Sequence, residues 1–239
     1  MSRFQKISLV LGIILLLQSP SIHAVQLKSN RALIPAGEFI MGTDEGTEIE
    51  RPVHKVFLKE YEISRFEVTN LEFEKFQPHH IRSASSACDQ CPVTMITWLE
   101  ASSYCNYQRG RLPTEAEWER AGRGPEGAPY SFGFYPDRTK GNFGNEFQAG
   151  VKAVDSFSPN GFGLYNMSGN VWEWVDDWFA FYNKAVAENK NRRGNSNEKL
   201  LRGGSWYNSA YYVNVGMRFK LRPDVKLNSI GFRCAWNVP

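Results

Sequence analysis

The chain has 239 residues, of which 42% are hydrophobic and 14% aromatic, and its formal net charge is +3. A chain of this size and composition can bury one sizeable core, so we expect a single folded domain. The nearly balanced charge gives no electrostatic reason for binding nucleic acid or an anionic membrane surface, and we expect neither as a partner.

The first residues have the pattern of a secretory signal peptide. Arg3 and Lys6 precede an apolar run at residues 7–17, which the small-residue pattern of a cleavage site follows. A run of about 11 residues is short of the roughly 20 needed to span a bilayer, although an uncleaved anchor is the alternative. We predict a signal peptide at residues 1–24 and a mature domain at residues 25–239, periplasmic or secreted and not embedded in a membrane.

Two stretches with alternating apolar residues come next and suit β-strands, GEFIMG at residues 37–42 and HKVFLKEYEIS at residues 54–64. Three helices should follow, because Thr-x-x-Glu, the capping-box sequence of a helix start, occurs at Thr69, Thr97 and Thr114. These threonines and glutamates are therefore interpreted as capping signals and not as catalytic groups.

The second half of the chain has less periodicity. Glu115, Glu117 and Glu119 are predicted to form the first turn and the solvent-facing side of the third helix. Glycine and aromatic residues prevail at residues 124–169 without a helical period, which is typical of a functional loop held by specific contacts. The basic cluster at residues 190–199 is interpreted as a solvated loop. The predicted class is α+β with little regular secondary structure.

Four cysteines follow the predicted signal peptide: Cys88, Cys91, Cys105 and Cys234. An even number of cysteines in an exported chain favours disulfides over zinc or a cytosolic redox role. The motif CDQC, which holds Cys88 and Cys91, can be a redox pair, half of a metal site or a local staple. We favour the staple, because the sequence offers no second Cys/His pair for zinc.

The stretch RGGSWYNSAYYVNVGMR at residues 202–218 concentrates side chains that can recognise a ligand. Tyr207, Asn208, Tyr211 and Tyr212 offer hydrogen-bond donors, acceptors and flat apolar faces, which is the chemistry of adaptable binding surfaces. We predict that these four residues bind a ligand or partner. The alternative is that two of the tyrosines belong to the core.

A second polar motif, SGNVWEWVDDW, occupies residues 168–178. In a strand, Trp172 and Trp174 share one face and Glu173 lies on the other. Asn170 and Glu173 carry the amide and carboxylate oxygens that calcium prefers as ligands. The alternative is that Asn170 serves a turn and Glu173 an ion pair.

Six segments, in this order along the chain, resemble the formylglycine-generating enzyme, or sulfatase-modifying factor, family: IPAGEFIMGT, YEISRFEVTNLEFEKF, RLPTEAEWERAGRG, NGFGLYNMSGNVWEWVDDW, RGGSW and IGFRC. The resemblance covers about residues 33–236. It implies a loop-rich variant of the C-type-lectin-like fold.

Genuine enzymes of this family oxidise a cysteine of a sulfatase to formylglycine with copper, oxygen and two cysteines of their own. Here Asn208 and Val213 lie at or near the positions of that pair. Because thiolates hold Cu(I), the resemblance implies a member without the standard copper chemistry, and we expect no tight copper binding. Ser205 and Trp174 match residues that line the family's active-site groove, so they and Asn208 are the catalytic candidates.

The resemblance also implies a structural calcium ion, held by the side chains of Asn170 and Glu173 and the carbonyl groups of Gly169 and Val171. A second calcium site of the family would involve Asn142, but its acidic loop looks shortened, and that site stays open.

Family members with cysteines matching Cys105 and Cys234 join them, which implies the same disulfide here. For function, we expect an exported oxidative maturation factor that acts on a peptide or protein substrate. The alternative is a non-catalytic binding module that presents the tyrosine-rich loop, as in the variable proteins of diversity-generating systems.

Overall fold

A computed structural model describes residues 30–182 and 196–238. Both strands and helices are short. The strands are β1 (Arg31–Ile34), β2 (Gly37–Met41), β3 (His54–Leu58), β4 (Tyr61–Ser64), β5 (Trp172–Trp178), β6 (Lys199–Arg202), β7 (Arg218–Leu221), β8 (Ile230–Phe232) and β9 (Ala235–Asn237). The helices are α1 (Asn70–Phe76), α2 (Trp98–Tyr107) and α3 (Glu115–Arg123). The α+β class predicted from the sequence is confirmed.

The strands form three sheets in the described part of the chain, with the orders β1-β4-β9, β2-β3 and β7-β6-β5-β8. All strand pairs are antiparallel except β5 and β8, which run parallel. The stretch at residues 54–64 forms two strands, β3 and β4, which belong to different sheets. Residues 199–202 form β6 of the third sheet, and Lys199, the last residue of the basic cluster, is buried there rather than solvated. Residues 190–195 of that cluster lie outside the described residues.

All three helices begin where the capping boxes predict. Thr69, Thr97 and Thr114 each accept a hydrogen bond from the backbone N–H group of the glutamate three residues on, and each glutamate accepts one from the threonine's own N–H group. This reciprocal bonding satisfies two of the donors that a helix start leaves without a partner.

The solvent-facing role predicted for Glu115, Glu117 and Glu119 is wrong. Their exposed fractions are 5%, 8% and 0%. The prediction failed because α3 packs between sheets and arginines from other elements reach its carboxylates, which helical periodicity does not reveal. Arg111, for example, donates two hydrogen bonds of 2.6 Å to the carboxylate of Glu117.

The segment at residues 124–169 is irregular, as expected, apart from a 3-10 turn at Phe147–Ala149. Both disulfides are present, one joining Cys88 to Cys91 and the other Cys105 to Cys234. The second ties α2 to the chain just before β9. Within the described residues, no helix is long and apolar enough to cross a membrane. The predicted signal peptide at residues 1–24 lies outside the described residues.

Candidate functional site

The loop between β6 and β7, residues 203–217, is here called the tyrosine loop. Arg202 comes directly before it, and its guanidinium donates to the carbonyl groups of Val215, Gly216 and Met217 at the far end of the loop. The same guanidinium forms an ion pair with Glu119 of α3. One buried side chain therefore closes the loop on itself and fastens it to a helix.

Arg218 fastens the other end of the loop. Its guanidinium donates to both carboxylate oxygens of Glu115, at 2.6 and 3.0 Å, and its backbone N–H group donates to Glu50. Charge-assisted pairs of this bidentate kind are the strong ones. The two arginines that bracket the loop are thus each held by a glutamate of α3.

Two glycines give the loop its first turn. Gly203 and Gly204 have φ angles of +96° and +73°, which L side chains rarely adopt. A Cβ atom on Gly204 would also lie 2.6 Å from Val213 and 2.8 Å from the carbonyl oxygen of Tyr212. The Gly-Gly pair is therefore required by the close approach of the two arms of the loop.

Ser205 and Asn208 form a closed hydrogen-bonded turn. The side-chain oxygen of Asn208 accepts from the backbone N–H group of Ser205 at 2.9 Å and from its hydroxyl at 2.7 Å. The carbonyl oxygen of Asn208 accepts from Gly144, which ties the turn to the glycine-rich segment. Both polar groups predicted as catalytic candidates are thus engaged in holding the loop's shape.

Ser205 and Trp174 are buried beneath the protein surface. Both have an exposed fraction of 0%, and the indole N–H group of Trp174 donates to the carbonyl of Ile96 at 3.3 Å. Trp172 and Trp174 belong to one buried cluster, as their spacing predicts. In this structure the two groove candidates do not present their side chains to solvent.

The tip of the loop has the opposite character. Tyr211 and Tyr212 are 41% and 45% exposed, and their rings meet edge to face with centroids 5.1 Å apart. Tyr207 is half-buried against Trp206 and Phe147. The alternative that two tyrosines belong to the core is therefore wrong for Tyr211 and Tyr212, while Tyr207 lies at the boundary.

Val213, near the position of the family's second cysteine, is fully buried against Tyr130 and Phe143. An apolar side chain here anchors the loop where a thiol would be expected. All four cysteines are in disulfides, and the described residues include no free thiol.

Of the predicted calcium ligands, Glu173 already has strong partners. Arg233 donates to its two carboxylate oxygens at 2.7 Å each, and the indole N–H group of Trp118 donates to one of them at 2.8 Å. All of these side chains are fully buried. A calcium ion would have to compete with this ion pair for the carboxylate.

The amide oxygen of Asn170 is also occupied, by the side chain of Asn142 at 3.0 Å and the backbone N–H group of Lys152 at 2.9 Å. Gly169 and Val171 flank it in the turn that enters β5. The side-chain oxygens of Asn170 and Glu173 are thus both engaged within the chain, and a calcium ion at the predicted site would have to replace those hydrogen bonds. Among the described residues, no group of three or more His, Cys, Asp or Glu side chains could hold a metal.

Asn166 and Glu67 belong to the same network, although no sequence motif marks them as site residues. Glu67 accepts from Asn166 and Asn170 at 2.9 and 2.8 Å, and burial raises its pKa to about 7. The amide oxygen of Asn166 is buried without a hydrogen-bond partner among the described residues. A cation in this network would therefore find its free amide oxygen on Asn166 rather than on Asn170.

Comparison with known proteins supports the resemblance seen in the sequence. The family model described as "Sulfatase-modifying factor enzyme 1-like domain" matches residues 19–238. The formylglycine-generating enzyme of Mus musculus is 29% identical over 274 residues, covering 84% of this chain and 73% of that protein. The serine/threonine-protein kinase pkn1 of Chlamydia pneumoniae is 34% identical over 235 residues, covering 86% of this chain but only 38% of the kinase.

Two solved structures share the fold. PvdO from Pseudomonas aeruginosa superimposes with a TM-score of 0.76 and 26% identity, over 87% of this chain and 94% of that one. Treponema denticola variable protein 1 gives a TM-score of 0.75 and 24% identity, over 86% and 94% of the two chains. The fold predicted from the six motifs is confirmed.

Proposed function

Since this chain belongs to the sulfatase-modifying factor enzyme 1-like family, we propose that it is an exported member that binds a protein or peptide through the tyrosine loop. One observation carries the proposal. Tyr211 and Tyr212, together with Ser209, are the exposed part of a loop whose two ends are buried and held by ion pairs. Aromatic side chains on a fixed frame lose little entropy on binding, which makes them effective anchors.

Export to an oxidising compartment, the periplasm or the medium, is part of the proposal. It is supported by the leader-like first 24 residues and by the two disulfides, which persist in such compartments.

A second candidate function is oxidative maturation of the bound peptide or protein. It is favoured by the likeness to the formylglycine-generating enzyme of Mus musculus and by the retained RGGSW turn. The standard copper route would need a thiolate pair, and Asn208 and Val213 do not supply one. We expect no aldehyde when the protein is incubated with copper and a cysteine-containing sulfatase peptide; an aldehyde detected by mass spectrometry would contradict this.

Calcium enters the proposal as a structural ion only. Binding to the folded state alone would raise the melting temperature by mass action. The test is a thermal scan with added calcium and then with a chelator. An unchanged melting temperature would exclude the ion.

The binding proposal is tested by selecting a random peptide library on the immobilised mature protein and measuring the Kd of the recovered peptides by calorimetry. Truncating an aromatic anchor costs about 2 kcal/mol or more at a binding hot spot. Tyr211→Ala and Tyr212→Ala should therefore each weaken the recovered peptides by roughly 30-fold or more.

Tyr107→Ala is the matched control. Tyr107 is 62% exposed but is the last residue of α2, where its ring contacts Phe76 of α1. Its truncation should leave the Kd unchanged. Equal affinity of the Tyr211→Ala variant and the wild type, or an equal loss in the control, would contradict the proposal.

A further inference from the structure

A cleft of about 840 Å³ opens between the β2–β3 hairpin, the start of α3 and the end of β5. Met41, Val56 and Leu58 form an apolar wall. Asp177 and Tyr182 lie on the lining as well. None of the described lining residues belongs to the tyrosine loop, so the cleft is a separate site.

Asp177 is the unusual group of this cleft. Its carboxylate accepts one hydrogen bond, from the backbone N–H group of Glu115 at 2.6 Å, and it is partly exposed to the cleft. Within the described ranges, no lysine or arginine forms an ion pair with it. A carboxylate in such surroundings favours a ligand that brings positive charge.

The neighbouring carboxylates already have cations of their own. Glu115 is paired with Arg218, and Glu117 with Arg111. Burial, and then the negative charge of Glu115, raise the pKa of Asp177 to about 7. Lys59 also lines the cleft, but it is exposed and forms no ion pair with Asp177. Asp177 is therefore a lining carboxylate that no lysine or arginine of the described residues pairs with.

We propose that the cleft binds an aliphatic ammonium ion, such as the side chain of a peptide lysine, with the charged head on Asp177 and the hydrocarbon stem along Met41, Val56 and Leu58. The hydroxyl of Tyr182 donates to Glu115, which leaves its lone pairs as a further acceptor for the ammonium protons. A pocket with an apolar wall and few polar groups fixes a ligand of this amphipathic kind.

A divalent cation fits the cleft less well. Calcium takes six to eight oxygen ligands. The carboxylates of Glu115 and Glu117 are bound to arginines, which leaves Asp177 and the exposed Glu60 as the unpaired carboxylates of the described lining. An anionic ligand would meet the negative charge of Asp177. An ammonium ion needs only one carboxylate and a few acceptors, which the cleft offers.

The test is an NMR titration of the mature protein at pH 8, where Asp177 is ionised. The probes are Nα-acetyl-lysine methylamide, its uncharged isostere Nα-acetyl-norleucine methylamide, and cadaverine, which separates a peptide side chain from a free amine. The lysine derivative should bind saturably at millimolar concentration, and its shifts should include the Glu115 amide that donates to Asp177. The norleucine derivative should bind at least about tenfold more weakly, since it lacks the charge.

Asp177→Asn should weaken the lysine derivative by about tenfold or more, because the amide still accepts from Glu115 but carries no charge. Asp176→Asn is the control, since Asp176 is the neighbouring carboxylate of β5 and does not line the cleft. Absence of saturable binding, shifts that avoid the cleft, or equal binding by the norleucine derivative or by the Asp177→Asn protein would overturn the proposal. None of these results depends on the tyrosine loop.

Discussion

The two ends of the tyrosine loop and its tip differ in what they contribute. Arg202 and Arg218, at the ends, are buried and paired with glutamates of α3. Tyr211 and Tyr212, at the tip, are exposed and contact each other. The difference indicates that the ends stabilise the fold, whereas the tip does not. Substitutions at the ends should therefore lower the free energy of unfolding, and substitutions at the tip should weaken binding.

The largest expected effect is at the ends. Glu119→Gln keeps the shape of the side chain but removes the shorter of the two buried ion pairs of Arg202, leaving only the one to Glu115 at 3.5 Å. Breaking a buried ion pair in this way costs about 3 to 5 kcal/mol. The measurement is the free energy of unfolding from urea denaturation.

Glu62→Gln is the matched control for this comparison. Glu62 forms an ion pair with Arg31 at the surface, with the two side chains 36% and 39% exposed. Exposed pairs contribute about 0 to 1 kcal/mol. Equal losses in the two variants would show that the ends of the loop do not hold the fold.

An intermediate effect is expected at Asp177, which forms no ion pair with a lysine or arginine in the described part of the chain. Its pKa is raised from 3.8 to about 7, so between these values the native state holds a proton that the unfolded chain has released. The free energy of unfolding therefore falls as the pH rises through this window. Replacing the Asp177 carboxylate by an uncharged side chain should restore the free energy of unfolding that is lost at high pH.

Asp177→Asn should accordingly be more stable than the wild type at pH 8, by about 2 kcal/mol, which discounts the full shift for partial exposure. The advantage should shrink as the pH is lowered from 7 towards 4. Urea denaturation of both proteins at several pH values measures it, and an advantage independent of pH would contradict the assigned pKa.

The smallest expected effect on stability is at the tip. Tyr211→Ala and Tyr212→Ala should change the free energy of unfolding by less than about 0.5 kcal/mol, because both side chains are exposed. A loss of several kcal/mol would mean that the rings are packed in the folded core in solution, and the contrast between tip and ends would disappear.

Most of the local structure could be predicted from the sequence. The three helix starts follow from Thr69, Thr97 and Thr114, because a capping box is a bonding pattern within four residues. The exposure of Tyr211 and Tyr212 agrees with the polar and glycine-rich stretch around them.

The arrangement of charges could not be predicted in this way. Glu115, Glu117 and Glu119 look like a solvated helix face, because their arginine partners include Arg202 and Arg218, roughly 80 to 100 residues away along the chain. The buried pairing of Glu173 with Arg233 has the same origin, and so does the lack of an ion pair at Asp177 among residues 30–182 and 196–238. The sequence around a carboxylate does not indicate whether the fold will place a lysine or arginine beside it.

By itself the sequence determined the family, the helix starts and the absence of a copper-binding cysteine pair, since these depend on residue identities in order. Only the tertiary structure decided which polar groups are left to bind anything. Ser205, Asn208 and Trp174 are taken up by hydrogen bonds and packing, while Tyr211 and Tyr212 remain available. The physical reason is that a polar side chain is free to bind only if no part of the folded chain has already satisfied it, and those partners come from distant elements.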